Sequence, residues 1–181
     1  MDIISHGLWG SVAFGRKNRR AFWLAFFFGV MPDFVAFAPY FIGTWLGVIS
    51  IPGLPRAPGI PSEPPDPALI PAFVFQTYNV SHSLVVFAAV FMLLWLLFHR
   101  PVWEISSWGL HILFDIPFHT SQFFPTPFLW PLSGLHVSGI SWAEPVVFFP
   151  NVVLLAGLYL WFFAVRPRLR RGRDPVSIKQ D

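Results

Sequence analysis

Cysteine is absent from the 181 residues. Disulfides, cysteine-liganded zinc or iron–sulfur centres and thiol catalysis are therefore excluded, and any metal site must be built from His, Asp and Glu. Charge is scarce as well. Asp, Glu, Lys and Arg make up 12% of the chain, against about 25% in ordinary soluble domains, too few to cover the surface of a globule. The positive charge that exists is confined. Of the 12 Lys and Arg residues, four are Arg16, Lys17, Arg19 and Arg20, six lie from Arg166 onward, and only Arg56 and Arg100 stand between. Such end-clustering is the pattern of membrane topology and not of a phosphate-binding face, so no nucleic-acid partner is expected. The opening Met1-Asp2-Ile3-Ile4 has no basic start and no small-residue cleavage site, so it does not read as a signal peptide.

What is abundant is apolar surface. Hydrophobic residues make up 55% of the chain, with 22 Phe and 9 Trp. This excludes disorder and points to an all-α integral membrane protein whose partner is the lipid bilayer. Four apolar blocks carry the expectation: Ala21–Ile49, Leu84–Phe98, Val102–Phe118 and Pro145–Val165. About 20 helical residues cross roughly 30 Å of hydrocarbon. The first and last blocks suffice alone, the second suffices when extended back through Ser81, and the third is marginal. About four transmembrane helices are therefore expected, with Ile3–Phe14 as a short N-terminal half-span or interfacial helix. Residues 1–166 read as a single helical membrane domain and 167–181 as a basic cytoplasmic tail. Two proline-bearing loops, Ser50–Thr77 and His119–Ala143, connect the blocks. Placing Arg16–Arg20, Arg100 and the tail in the cytoplasm puts both termini inside, both long loops outside, and leaves only Arg56 on the outer side.

Ionisable groups inside hydrocarbon are costly and mark function by default. This chain carries His6, Asp33, His82, His111 and Asp115 in or beside its apolar blocks, with His119 just beyond. At about 1.5 Å per helical residue from the nearest basic anchor, they lie at depths of roughly 15–27 Å. Groups from separate segments that share a depth band can converge on one site, here opening to the outer side. His111 and Asp115 are four residues apart and project from one helix face. They can bind one metal together, or the Asp can orient the imidazole, or they can form a simple buried pair. Pro32 is expected to kink or end the first long helix, with Asp33 free to cap the following half. Ser81 reads as the N-cap of the second block, which leaves His82 as a ligand or general base. His6 and His119 are further candidate ligands, although Pro117 intervenes before His119. His99 and His136 read as interfacial, and Glu104 and Glu144 as facing headgroup water. Neutral imidazoles and carboxylates suit zinc, manganese or iron, with Asp33 or His82 as acceptor of a proton from water.

His6-Gly7, Pro32-Asp33, Ser81-His82-Ser83, His111 through Asp115 and Trp130-Pro131 follow one another in this order. Together they resemble the YdjM-type family of membrane-bound metal-dependent hydrolases, over roughly residues 5–133. The resemblance implies a helical protein of a bacterial or archaeal cytoplasmic (inner) membrane, distantly similar to zinc-dependent phospholipase C. It also implies a metal set of His6, Asp33, His82, His111 and Asp115, with His119 as an additional candidate. Two positions depart from the family pattern. Val35 stands where a second Asp is common, and Gln76-Thr77-Tyr78-Asn79 holds no basic residue where His-Arg-Gly is common. Fewer carboxylates and no arginine fit one metal or a divergent substrate.

The expected function is thus hydrolysis of an ester or phosphodiester, with a lipid substrate suggested by the depth of the site. The alternatives are a metal or proton relay or transport element, and a structural or assembly factor whose polar pairs lock helices together.

Overall fold

Three polar side chains set where helices begin. Asp2, Asn18 and Ser83 each stand in extended conformation before an apolar run and accept from backbone N–H groups of the first turn: Ser5 at 2.9 Å, Ala21 at 2.8 Å, and Val85 and Val86 at 3.1 and 3.2 Å. The computed structural model describes residues 1–49 and 70–167. Among them the architecture is all helical: α1 (Ile3–Phe14), α2 (Arg19–Trp45), α3 (Ala72–Ser81), α4 (Leu84–Phe98), α5 (Ser106–Phe118) and α6 (Pro145–Tyr159). A 3-10 turn over Trp103–Ile105 leads into α5, and α6 runs on as a π-helix over Leu160–Val165. Arg56, most of the Pro-rich loop and the tail beyond residue 167 lie outside the described residues.

Two helices are long and apolar enough to cross a membrane, Arg19–Trp45 with 27 residues and Pro145–Val165 with 21. Together α3 and α4 would supply a third span, bent by 54° at its break. The chain is therefore read as a membrane protein. By helix length it offers two or three spans where about four were expected. The difference is α5, whose 13 residues reach about 20 Å at 1.5 Å each, short of the hydrocarbon thickness.

Two expectations are corrected. Pro32 neither ends nor splits the first block, because α2 runs unbroken through Pro32 and Pro39. Asp33 thus sits inside a helix and caps nothing. Proline within a buried apolar helix is tolerated where neighbouring elements pack over the freed carbonyl, and α1, α3 and α5 all pack on α2. The N-cap of α4 is Ser83 and not Ser81, which ends α3. Of the two alternatives for Ile3–Phe14, the packing fits the half-span: α1 lies among α2, α5 and α6 and buries Ser5, His6, Gly7, Gly10, Ser11 and Val12.

Close approach of α1 to α2 requires glycine at their crossing. A Cβ on Gly29 would lie 2.6 Å from the His6 carbonyl oxygen and 2.9 Å from the Gly7 Cα. Small residues let helix backbones approach in this way. A polar tie fixes α1 to α6: Asn151 accepts from the Trp9 indole at 2.7 Å and donates to the Ser5 hydroxyl at 2.8 Å. The segment after α5 folds back along its end. Gly139 donates to the His119 carbonyl at 2.8 Å and Ile140 to that of Pro117 at 3.0 Å. Leu84 donates to Phe128 at 2.9 Å, and the Ser83 hydroxyl donates to the Trp130 carbonyl, beside a cis Trp130-Pro131 bond.

Candidate metal centre

Two helices and one helix break aim four polar side chains at one point. Asp33 comes from the middle of α2, His82 from the break between α3 and α4, and His111 and Asp115 from successive turns of α5. One ligand atom from each lies within 4.8 Å of every other. His82 and Asp115 are fully enclosed, and the four side chains are at most 8% exposed, the most accessible being Asp33.

The donor atoms outline a small polyhedron. His82 Nε2 lies 3.4 Å from Asp33 Oδ1 and 3.5 Å from Asp115 Oδ2. His111 Nε2 lies 3.7 Å and 3.1 Å from the same two oxygens. The two Nε2 atoms are 3.1 Å apart. Zinc bonds of roughly 2.0–2.2 Å in a tetrahedron place ligand atoms about 3.3–3.6 Å from one another. These five edges, at 3.1–3.7 Å, match that spacing with shifts of a few tenths of an ångström.

Backbone carbonyls orient the imidazoles. His111 Nδ1 donates to the Gly29 carbonyl at 2.7 Å, and His82 Nδ1 to that of Tyr78 at 3.2 Å, with the Ser81 hydroxyl 3.0 Å away. A carbonyl only accepts, so each Nδ1 carries its proton, and in a neutral ring the Nε2 is then a bare lone pair. Tyr78 stacks on His82 with ring centroids 3.8 Å apart, and His6 stacks on His111 at 3.6 Å. With both rings neutral, two lone pairs face each other across 3.1 Å between two carboxylates. That arrangement is repulsive unless a cation, a metal ion or a shared proton, sits among them.

Unpartnered polar atoms point the same way. Asp115 Oδ2 and both ring nitrogens of His6 are buried without a hydrogen bond. Each such atom costs about 1–3 kcal/mol unless a ligand satisfies it. The residues present fit a divalent cation, and the buried Asp33, His82, His111 and Asp115 group can hold one.

His6 and His119 stand at the other oxygen of Asp115. Their Nε2 atoms lie 2.9 and 3.5 Å from Oδ1, outside the quartet but touching it. The α-amino group of Met1 donates to the same oxygen at 2.6 Å. Pro117 does not turn His119 away, because α5 continues to Phe118 and the His119 N–H still bonds the Asp115 carbonyl at 3.1 Å. His119 Nδ1 donates to the Phe124 carbonyl at 2.8 Å, which also accepts from the Tyr78 hydroxyl at 2.9 Å. Phe124 holds that carbonyl with a left-handed backbone, φ 47°, a conformation costly for a bulky residue and common where function fixes geometry. His99 and His136 are exposed and take no part, nor do Glu104 and Glu144.

Sequence reasoning passed over Tyr78, Phe124 and Gly29, which aim the imidazoles, and Asn151, which ties α1 to α6. Asn151 carried a signal, as the lone polar side chain between Pro150 and Gly157. The carbonyls of Gly29 and Phe124 carried none. No protein-family model, curated protein or solved structure matches this chain.

Proposed function

We propose that this chain is a membrane-embedded, metal-dependent hydrolase of an ester or phosphodiester, with Asp33, His82, His111 and Asp115 as its metal ligands and a membrane lipid as its substrate. The observation that carries the metal reading is the 3.1 Å approach of two imidazole nitrogens whose lone pairs face each other beside two carboxylates. Two nitrogens and two oxygens at four-coordinate spacing favour zinc over manganese or iron. A bound divalent ion would supply Lewis acidity toward an ester or phosphoryl oxygen and lower the pKa of a water beside it.

The side chains divide the remaining work. His82 has Nδ1 on a carbonyl and Nε2 in the quartet, which suits a ligand and leaves no atom for a base. Asp33 contributes Oδ1 to the quartet and keeps a second oxygen on the most accessible of the four side chains. It is the better acceptor for the proton of the attacking water. The water oxygen bonds to acyl carbon or phosphorus as the ester C–O or P–O bond breaks; its proton passes to Asp33 and from Asp33 to the departing oxygen, which leaves as an alcohol. His119, 11% exposed and held through Nδ1, stands beside Asp115 Oδ1 and would help position the substrate.

Topology follows the charge distribution. Arg16–Arg20 and Arg100 mark the cytoplasmic side, with the C-terminus placed there too; the N-terminus is not, because Met1 is buried with its amine 2.6 Å from Asp115 Oδ1 at the metal-centre end of α1. The four crossings are α2, the bent α3–α4 pair, a protein-lined α5, and α6 with its π-helical end. The resemblance to YdjM-type proteins supports a bacterial or archaeal cytoplasmic membrane. The test is elemental mass spectrometry of detergent-purified protein beside a helical His111→Ala/Asp115→Ala variant, followed by chelator-sensitive hydrolysis of phosphodiester and ester lipids. About one equivalent of metal, lost in the variant, is expected. No stoichiometric metal after incubation with zinc, manganese and iron overturns the reading and leaves the His82–His111 contact as a shared proton of a relay.

A further inference from the structure

At the basic end of the bundle, α2 and α4 both pack on α5 but make no extensive contact with each other. The gap between them is a cleft of about 540 Å³. Lys17 and Arg20 line it from the α2 side and Arg100 from the α4–α5 connection, against one carboxylate, Glu104. Among the described residues, the close ion pairs all lie in the His/Asp cluster, so these three cations have no carboxylate within 4.0 Å. Below them the walls turn apolar. Leu24 and Phe28 follow Arg20 at four-residue steps on the same face of α2, and Leu94 and Phe98 do the same on α4. The N-terminus of α2 at Asn18 adds its partial positive charge to the rim.

We propose that this cleft seats one anionic phospholipid of the bilayer, its phosphate against Lys17, Arg20 and Arg100 and an acyl chain along Leu24, Phe28 and Leu94. A free phosphate would leave the apolar walls without a partner, and a zwitterionic lipid would leave the excess cations unmatched. An anionic amphiphile satisfies both along one axis of the cleft. Arg20 lies thirteen residues from Asp33, about 20 Å along α2, so the lipid seated here is not the one at the metal centre. The proposal rests on the membrane reading of the helices and not on hydrolysis.

The test is native mass spectrometry of the full chain in neutral detergent, titrated with phosphatidylglycerol, with phosphatidylcholine of the same chains, and with inorganic phosphate. Retention of one phosphatidylglycerol in preference to phosphatidylcholine is expected. Arg20→Gln/Arg100→Gln should weaken it roughly 30-fold, about fivefold for each cation removed. Arg20→Lys/Arg100→Lys should keep most of the binding, and Leu24→Trp should lose it by filling the cleft with all charges in place. Equal retention of the two lipids, or phosphatidylglycerol binding unchanged in the Gln and Trp variants, overturns the proposal. So does inorganic phosphate competing as well as the lipid binds. Metal content measured on the same samples reports the metal centre separately, so failure of one reading is distinguishable from failure of the other.

Discussion

Asp115→Asn is the sharpest single perturbation, because it removes one negative charge and almost no volume. Oδ1 accepts from the Met1 amine at 2.6 Å and lies 2.9 Å from His6 Nε2, and Oδ2 faces His111 and His82 Nε2 at 3.1 and 3.5 Å. Without metal, the loss leaves a buried ammonium uncompensated, which costs about 3 kcal/mol or more. For a chain of this size that is a fall in Tm of roughly 6–12 °C. With metal the contrast is larger. Zinc at a hundredfold excess over its Kd stabilises the native protein by about 2.7 kcal/mol, or roughly 5–11 °C. A four-ligand zinc site binds with about 10–16 kcal/mol, some 3 kcal/mol per ligand, so losing one weakens affinity by roughly two orders of magnitude. At the same zinc concentration the variant then gains well under 1 kcal/mol. Tryptophan-monitored thermal unfolding in detergent, with and without zinc, reads both effects. A zinc-induced shift in Asp115→Asn equal to that of the native chain would refute the reasoning.

Four further outcomes are expected. Ser83→Ala removes the acceptor of the Val85 and Val86 N–H groups and should cost about 1 kcal/mol, seen as a Tm lower by roughly 2–4 °C with metal content unchanged. Gly29→Ala places a Cβ 2.6 Å from the His6 carbonyl and should destabilise by about 1–3 kcal/mol; metal affinity, measured by competition with a chromogenic chelator, should fall too, because the His111 partner shifts. Tyr78→Phe removes the hydroxyl that bonds Phe124 and meets His119; lipid hydrolysis should drop with the metal still bound, and loss of metal instead would count against this assignment. The absence of native cysteine makes single-cysteine labelling clean, and Arg16→Cys and Ser133→Cys should react with an impermeant maleimide from opposite faces of sealed vesicles, labelling from the same face being incompatible with the topology.

Composition made the membrane class legible, because 55% hydrophobic residues and end-clustered cations leave little alternative. The helix ends were less so. Pro32 suggested a break that does not exist, since the penalty for proline depends on what packs over the freed carbonyl, and packing is tertiary. Ser81-His82-Ser83 announced a helix start without saying which serine caps it, because both lie within one turn of the apolar run. Only the observed backbone, with Ser83 extended and Ser81 helical, assigns the role. How far α5 extends within its marginal block was not legible for a related reason. Its preceding residues form a 3-10 turn, a choice that apolar composition does not encode.

The site was legible in kind but not in arrangement. Depth counting brought His6, Asp33, His82, His111 and Asp115 together as candidates, with His119 just beyond, because the cost of burying polar groups in lipid makes coincidence implausible. It could not rank them. The ranking depends on which ring nitrogen each histidine presents, and that is fixed by the carbonyls of Gly29, Tyr78 and Phe124. Backbone acceptors have no residue type to read. They hold the His82 and His111 lone pairs face to face and set Asp115 with one oxygen in the quartet and the other toward His6 and His119. The same geometry implies a cost: an apo site with opposed lone pairs and an orphaned Asp115 Oδ2 is destabilised. On the proposed reading, a cation bound at this point should stabilise the fold, so that metal binding and bundle stability rise and fall together.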